Sequence, residues 1–206
     1  ALQDENKSVR AAAAWALENI GTDAVPALIQ ALQNPDANVR GSAAGALGSI
    51  GEGSEDVVPA LIQTLKDPDS HVRHSAVEAL GQIKSKDAVP ALTQALQDKA
   101  GFVRISVIET LKKIGTSEAL KSVKEHQESL IQALQNPEAE IRADAAEALG
   151  QMGSADTVPA LTQALQDKAG FVRISVIETL RQIGTPEALQ SVKEHQESLI
   201  QALQNS

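Results

Sequence analysis

Apolar residues in this chain fall on helical stripes of two kinds, which alternate from end to end. In one stretch Val39, Ala43, Ala46, Leu47 and Ile50 stand at i, i+4, i+7, i+8 and i+11. That is one face of a helix, not the every-second-residue alternation of a strand. Glycine follows such stripes at Gly21, Gly51, Gly115, Gly153 and Gly184, where a left-handed C-cap is expected. After the stripe ending at Ile83 the place is taken by Lys84, which predicts a weaker cap. Asn6, Asp36, Asp69 and Glu138 stand at the entries of these helices; the first three are good N-caps and Glu138 a poorer one. Ala100 and Ala169 hold the same place and cannot cap.

The second kind of stripe reads Val-Pro-Ala-Leu-x-Gln-x-Leu, as from Val25 to Leu32. Proline is tolerated only in a helix's first turn. Pro26, Pro59, Pro90 and Pro159 therefore predict short helices starting near Asp23, Glu55, Asp87 and Asp156. Glu128 stands where a fifth proline would be, with seven extra residues before it. No Gly or Pro interrupts the run carrying Leu120, Val123, Leu130, Ile131 and Leu134, so one long helix is expected over about 118–135. The same helix is expected over about 187–204, opened by Pro186.

The two stripes form a repeating unit. Val-Arg or Ile-Arg pairs recur at 9–10, 39–40, 72–73, 103–104, 141–142 and 172–173, spaced by 30, 33, 31, 38 and 31 residues. Segments 87–136 and 156–205 differ at five of fifty positions, so a larger block was copied. Duplication and a designed array would both produce this. Regular self-similarity of this length is the mark of a solenoid.

Each proline is followed eight residues later by Asp or Asn, then Val-Arg five and six residues on: Pro26, Asn34, Val39, Arg40; Pro59, Asp67, Val72, Arg73; Pro90, Asp98, Val103, Arg104; Pro159, Asp167, Val172, Arg173. Asn136, Ile141 and Arg142 keep the motif without its proline. This resembles the HEAT repeat in its short bacterial, phycobilisome-lyase HEAT-like form, across essentially the whole chain. The resemblance implies an all-α, right-handed α-α superhelix of about twelve antiparallel helices, a single array over 1–206, with the second helix of each pair lining a concave side. The chain begins and ends within a unit, which is the expected appearance of a window of a longer protein or of a chain that associates end to end; Ala-Leu-Gln occurs at both 1–3 and 202–204.

The arginine row (Arg10, Arg40, Arg73, Arg104, Arg142 and Arg173) could be read as an anion ladder. The acids Asp67, Asp98 and Asp167 recur with it, so each Arg is expected to staple the turn between helices to the neighbouring unit instead. Another row, five residues beyond each Arg, holds Trp15, Gly45, Glu78, Glu109, Glu147 and Glu178, with Asp144 alongside. His71, Phe102 and Phe171 precede the Val-Arg pairs, and His74, Ile105 and Ile174 follow them. Together these predict an acidic groove with apolar anchors, suited to a basic or amphipathic protein segment. The competing reading makes the glutamates a solvated helix face.

Composition narrows the function. There are 27 acidic against 18 basic side chains, a net charge of −9, no Cys, and three aromatic rings. A net-acidic chain is a poor binder of nucleic acid or anionic membrane. The absence of Cys excludes disulfides and thiolate sites, and a cytoplasmic protein is expected. His71, His74 and Glu78 lie at i, i+3 and i+7, but nothing else in the sequence supports a metal, and neither metal nor cofactor is expected. His126 and His195, in Glu/Gln-rich stretches, are expected to be exposed or at a helix–helix edge. There is no phosphate-binding Gly-rich loop, no Gly-x-Ser-x-Gly and no His-Glu-x-x-His. No His precedes a Glu, unlike the HEAT-like di-iron hydroxylases. The expectation is a noncatalytic protein-binding scaffold. The alternatives are a bilin-lyase-type chaperone or enzyme acting on phycobiliproteins, and a structural spacer or self-assembling array.

Overall fold

A computed structural model describes residues 21–51 and 54–204. The expected first helix, with Val9, Arg10 and Trp15, lies outside the described residues. Among the described residues every regular element is helical. Short helices α1 (Val25–Ala31), α3 (Val57–Thr64), α5 (Val89–Ala95) and α9 (Val158–Ala164) alternate with 14-residue helices. These are α2 (Ala37–Ile50), α4 (Ser70–Ile83), α6 (Gly101–Ile114), α8 (Ala139–Met152) and α10 (Gly170–Ile183). Two long helices, α7 (Ser117–Ala133) and α11 (Pro186–Gln204), run unbroken, as the absence of Pro or Gly beyond their first residue allows.

The short helices begin as proline dictates. Pro26, Pro90 and Pro159 are the second helical residue and Pro59 the third, so no internal hydrogen bond is lost. Tight turns lead in: 3-10 helices at Gly21–Ala24, Lys86–Ala88 and Ala155–Thr157. Asp36 and Asp69 cap α2 and α4 by accepting from the N–H groups of Asn38 and His71. Glu138, Ala100 and Ala169 make no cap bond. At the other ends Gly115, Gly153 and Gly184 are left-handed, and Lys84 adopts the same conformation at φ 57°. Gly51 has φ 78° but ψ −153°, a positive-φ glycine conformation outside the left-handed helical region.

The chain forms two compact units, Ala1–Val123 and Lys124–Ser206, divided within α7. In the first, α2 packs on α4 and α4 on α6, forming one layer, with α1, α3 and α5 against it. In the second, α8 packs on α10, and α9 and α11 lie against α10. The core is aliphatic: Leu28, Leu47, Leu61, Leu80, Leu92 and Leu111 in the first unit, and Leu149, Leu161 and Leu180 in the second, are fully buried. Each such leucine contributes about 1.5–3 kcal/mol by leaving water. Small residues set the spacing where helices come closest. A Cβ added to Gly48 would sit 2.6 Å from Ala79 Cα, so α2 and α4 meet there nearly backbone to backbone.

One reading of the long helices needs correction. His195 is buried, only 7% exposed, because it follows Ala188 and Val192 at i+4 and i+7 on the buried stripe of α11. Neither of its ring nitrogens is hydrogen-bonded among the described residues. His126, in the same place on α7 after Ala119 and Val123, is half-buried. Leu120 and its counterpart Leu189 each fall one residue off that stripe and are 48% exposed.

Candidate functional site

The repeated Asp does two jobs. Its carboxylate closes the loop into the next helix: Asp67 accepts from the N–H of Asp69, Asp98 from that of Ala100, and Asp167 from that of Ala169, at 2.8–2.9 Å. Asn34 and Asn136 do the same for Asp36 and Glu138. The loops entering α6 and α10 are thereby held although their capping positions are alanines.

The same carboxylate receives an arginine from the unit before. Nε and Nη2 of Arg40 donate to Asp67 at 2.7 and 2.8 Å, while Nη1 donates to the carbonyls of Asn34 and Pro35 in its own loop. Arg73 repeats this with Asp98, and Arg142 with Asp167. The Arg73 and Asp98 side chains are 6% and 8% exposed. Each guanidinium is raised above its ordinary pKa by these hydrogen bonds. Burial pushes the Asp67 and Asp98 carboxyls up, but their bonds to arginine and to the backbone outweigh it and hold both below the usual carboxylate range. The bond from Arg142 leads in lowering Asp167. Arg104 and Arg173 bind their own loops' carbonyls at Asp98 and Asp167. Arg10 lies outside the described residues. Arg40, Arg73 and Arg142, each already making four hydrogen bonds, are poorly placed to hold an external anion.

The second candidate row lies on the 14-residue helices. Glu78, Glu109, Asp144, Glu147 and Glu178 are all exposed. Phe102, Phe171 and Ile174 are 41%, 51% and 59% exposed, and Ile105 is half-buried. Trp15 lies outside the described residues.

Within the first unit the row forms a real cluster. The Phe102 ring of α6 sits 5.4 Å from His71 and 5.6 Å from His74 of α4, tilted to each. Carboxylates flank the imidazoles: Asp69 lies 3.7 Å from His71 Nδ1 and Glu78 3.6 Å from His74 Nδ1. No group of three or more potential metal ligands occurs among the described residues. None of the described helices is long and apolar enough to cross a membrane.

Sequence reasoning did not find the hydroxyl contacts between helices. Thr110 Oγ1 donates to the Val77 carbonyl and Thr179 Oγ1 to that of Ala146. Thr93 pairs with Ser122, and Thr162 with Ser191, each at 2.9 Å. Their signal was available: hydroxyl residues interrupting an aliphatic stripe at the same place in both copies of the duplicated block.

A solved structure of YibA from E. coli is 26% identical over 87% of this chain and 67% of that one, with a TM-score of 0.52. The complex of CpcE and CpcF of phycocyanin lyase from Nostoc sp. PCC7120 is 26% identical over 96% of this chain and 91% of that one, with a TM-score of 0.46. An engineered protein is 23% identical over 94% of both chains, with a TM-score of 0.43. No curated protein matches the sequence. The family model for HEAT repeats matches residues 1–80, 58–129 and 127–199. With paired helices in every described unit and that match running through most of its length, the chain belongs to the HEAT repeat family, an all-α solenoid.

Proposed function

We propose that this protein is a noncatalytic scaffold that holds a basic segment of a partner protein on the exposed faces of its 14-residue helices. The observation that carries the reading is that each unit combines exposed glutamates with exposed apolar groups: Glu78 and Glu109 with Phe102 in the first, Glu147 and Glu178 with Phe171 and Ile174 in the second. Exposed rings and branched aliphatics supply contact area that gains from leaving water. The carboxylates supply attraction for Lys and Arg and repel acidic competitors. The arginines that could have neutralised the glutamates point into the loops: Arg40, Arg73 and Arg142 are held there by aspartate and backbone carbonyls.

The test is binding of a labelled basic amphipathic peptide at rising ionic strength. Affinity should fall steadily between low and physiological salt. The variant Glu78→Gln/Glu109→Gln/Glu147→Gln/Glu178→Gln should bind more weakly and with a flatter salt response. Binding that ignores both salt and these substitutions defeats the proposal. Trp15 is the sole tryptophan, and its emission offers a parallel assay. Quenching by a linear tetrapyrrole, with no response to peptide, would move the reading to a bilin-lyase type of activity.

A further inference from the structure

Helices α6 and α10 carry the same sequence from Gly101 to Leu111 and from Gly170 to Leu180, yet meet different neighbours. Both pack on the preceding 14-residue helix in one register. Thr110 bonds the Val77 carbonyl and faces Gly81; Thr179 bonds the Ala146 carbonyl and faces Gly150. All of these pairs are offset by 69 residues. That register assigns equivalent neighbours. Where α4 presents His71 and His74 to Phe102, α8 carries Glu140 and Ala143 opposite Phe171.

The exchange changes the surface. Phe102 is flanked by two imidazoles, and Ile105 beside it is half-buried. Phe171 and Ile174 have lost that cover and stand 51% and 59% exposed, at i and i+3 on one face of α10. Glu140, Asp144 and Glu147 are exposed on α8 and Glu178 on α10. Arg142 is bound to Asp167, which leaves Arg181, one turn beyond Glu178, as the exposed cation on α10. An uncovered apolar pair among four carboxylates is complementary to a helix with one apolar stripe and Lys or Arg beside it.

We propose that the α8–α10 face of the second unit, centred on Phe171 and Ile174, is the primary docking site for a short cationic amphipathic helix of a partner protein, and that the histidine-covered Phe102 is a weaker one. This rests on the scaffold reading above and names the place and the ligand chemistry. Two histidines in one unit, against Glu and Ala in the other, give two copies of one helix different affinities.

The experiment is fluorescence anisotropy with a labelled synthetic Leu/Lys amphipathic helix of roughly 15–20 residues, near neutral pH. Phe171→Ser/Ile174→Ser should weaken binding about tenfold, and Phe102→Ser by less than about twofold. All these side chains are exposed, and circular dichroism should show unchanged helicity. Exchanging the neighbours should exchange the behaviour. Glu140→His/Ala143→His should weaken binding, and His71→Glu/His74→Ala should strengthen it or add a second site. If wild type binds, but the two serine variants lose equally or Phe102→Ser loses more, this assignment fails while the scaffold reading stands. If wild type binds no basic helix at all, both fail.

Discussion

The repeated aspartate is the residue on which the interior of each loop depends. Asp98 accepts Nε and Nη2 of Arg73 at 2.6 and 2.8 Å and also accepts the Ala100 N–H. Asp98→Ala removes all three bonds and leaves the Arg73 guanidinium buried without its counter-charge, a change that costs about 3–5 kcal/mol. Asp98→Asn keeps an acceptor for Ala100, as Asn34 and Asn136 supply in their own loops, but loses the charge and the acceptor of Arg73 Nε. It should cost about 1–3 kcal/mol. Urea unfolding of both variants at neutral pH measures the difference, and equal losses would show that the loop bond contributes nothing. The recurrence of acid and arginine was legible in the sequence. The division of each guanidinium between its own loop's carbonyls and the next unit's carboxylate was not, because it depends on where a loop of Pro, Asp and Asn turns its carbonyl groups.

At the scale of the helix, the sequence was read well wherever one residue type dominates the physics. Proline placed the short helices, and its absence after Ser117 placed a long one. Reading failed where burial was inferred from polarity alone. His195 lies in a charged stretch but on the stripe of Ala188 and Val192, and it is buried. The α4 terminus supplies a test. Lys84 occupies the left-handed region at φ 57° and ψ 36°, where its Cβ crowds the following carbonyl. Gly115, Gly153 and Gly184 fill the same role without that cost. Lys84→Gly should raise stability by about 0.5–1 kcal/mol, the relief being partly offset by a more flexible unfolded chain. Thermal unfolding that shifts downward would mean that the Lys84 side chain makes contributions beyond its backbone. The exposed face was legible as residue types, but its asymmetry was not. Phe102 and Phe171 have identical flanks in sequence and differ only in the helix packed beside them.

Across the whole molecule the staples make stability depend on pH with a definite sign. Asp67, Asp98 and Asp167 all titrate below the usual carboxylate range in the folded chain. In the unfolded chain each returns to about 3.9. A carboxyl depressed by folding contributes fully above its unfolded value, and the contribution drains away as pH falls through the lower folded value. Stability should therefore hold from neutral pH down to about 4 and then drop, with the unfolded chain taking up as many as one additional proton per staple. The three staples occupy both units, so neither should escape. The variant Asp67→Asn/Asp98→Asn/Asp167→Asn keeps the loop acceptors and removes the titrating groups. It should be less stable than wild type at neutral pH and nearly equal to it at the acid end. Urea midpoints followed from pH 7 to strong acid give both curves. Convergence assigns the acid sensitivity to the staples. Parallel curves would place it in other carboxylates and leave the staples with a role in geometry alone.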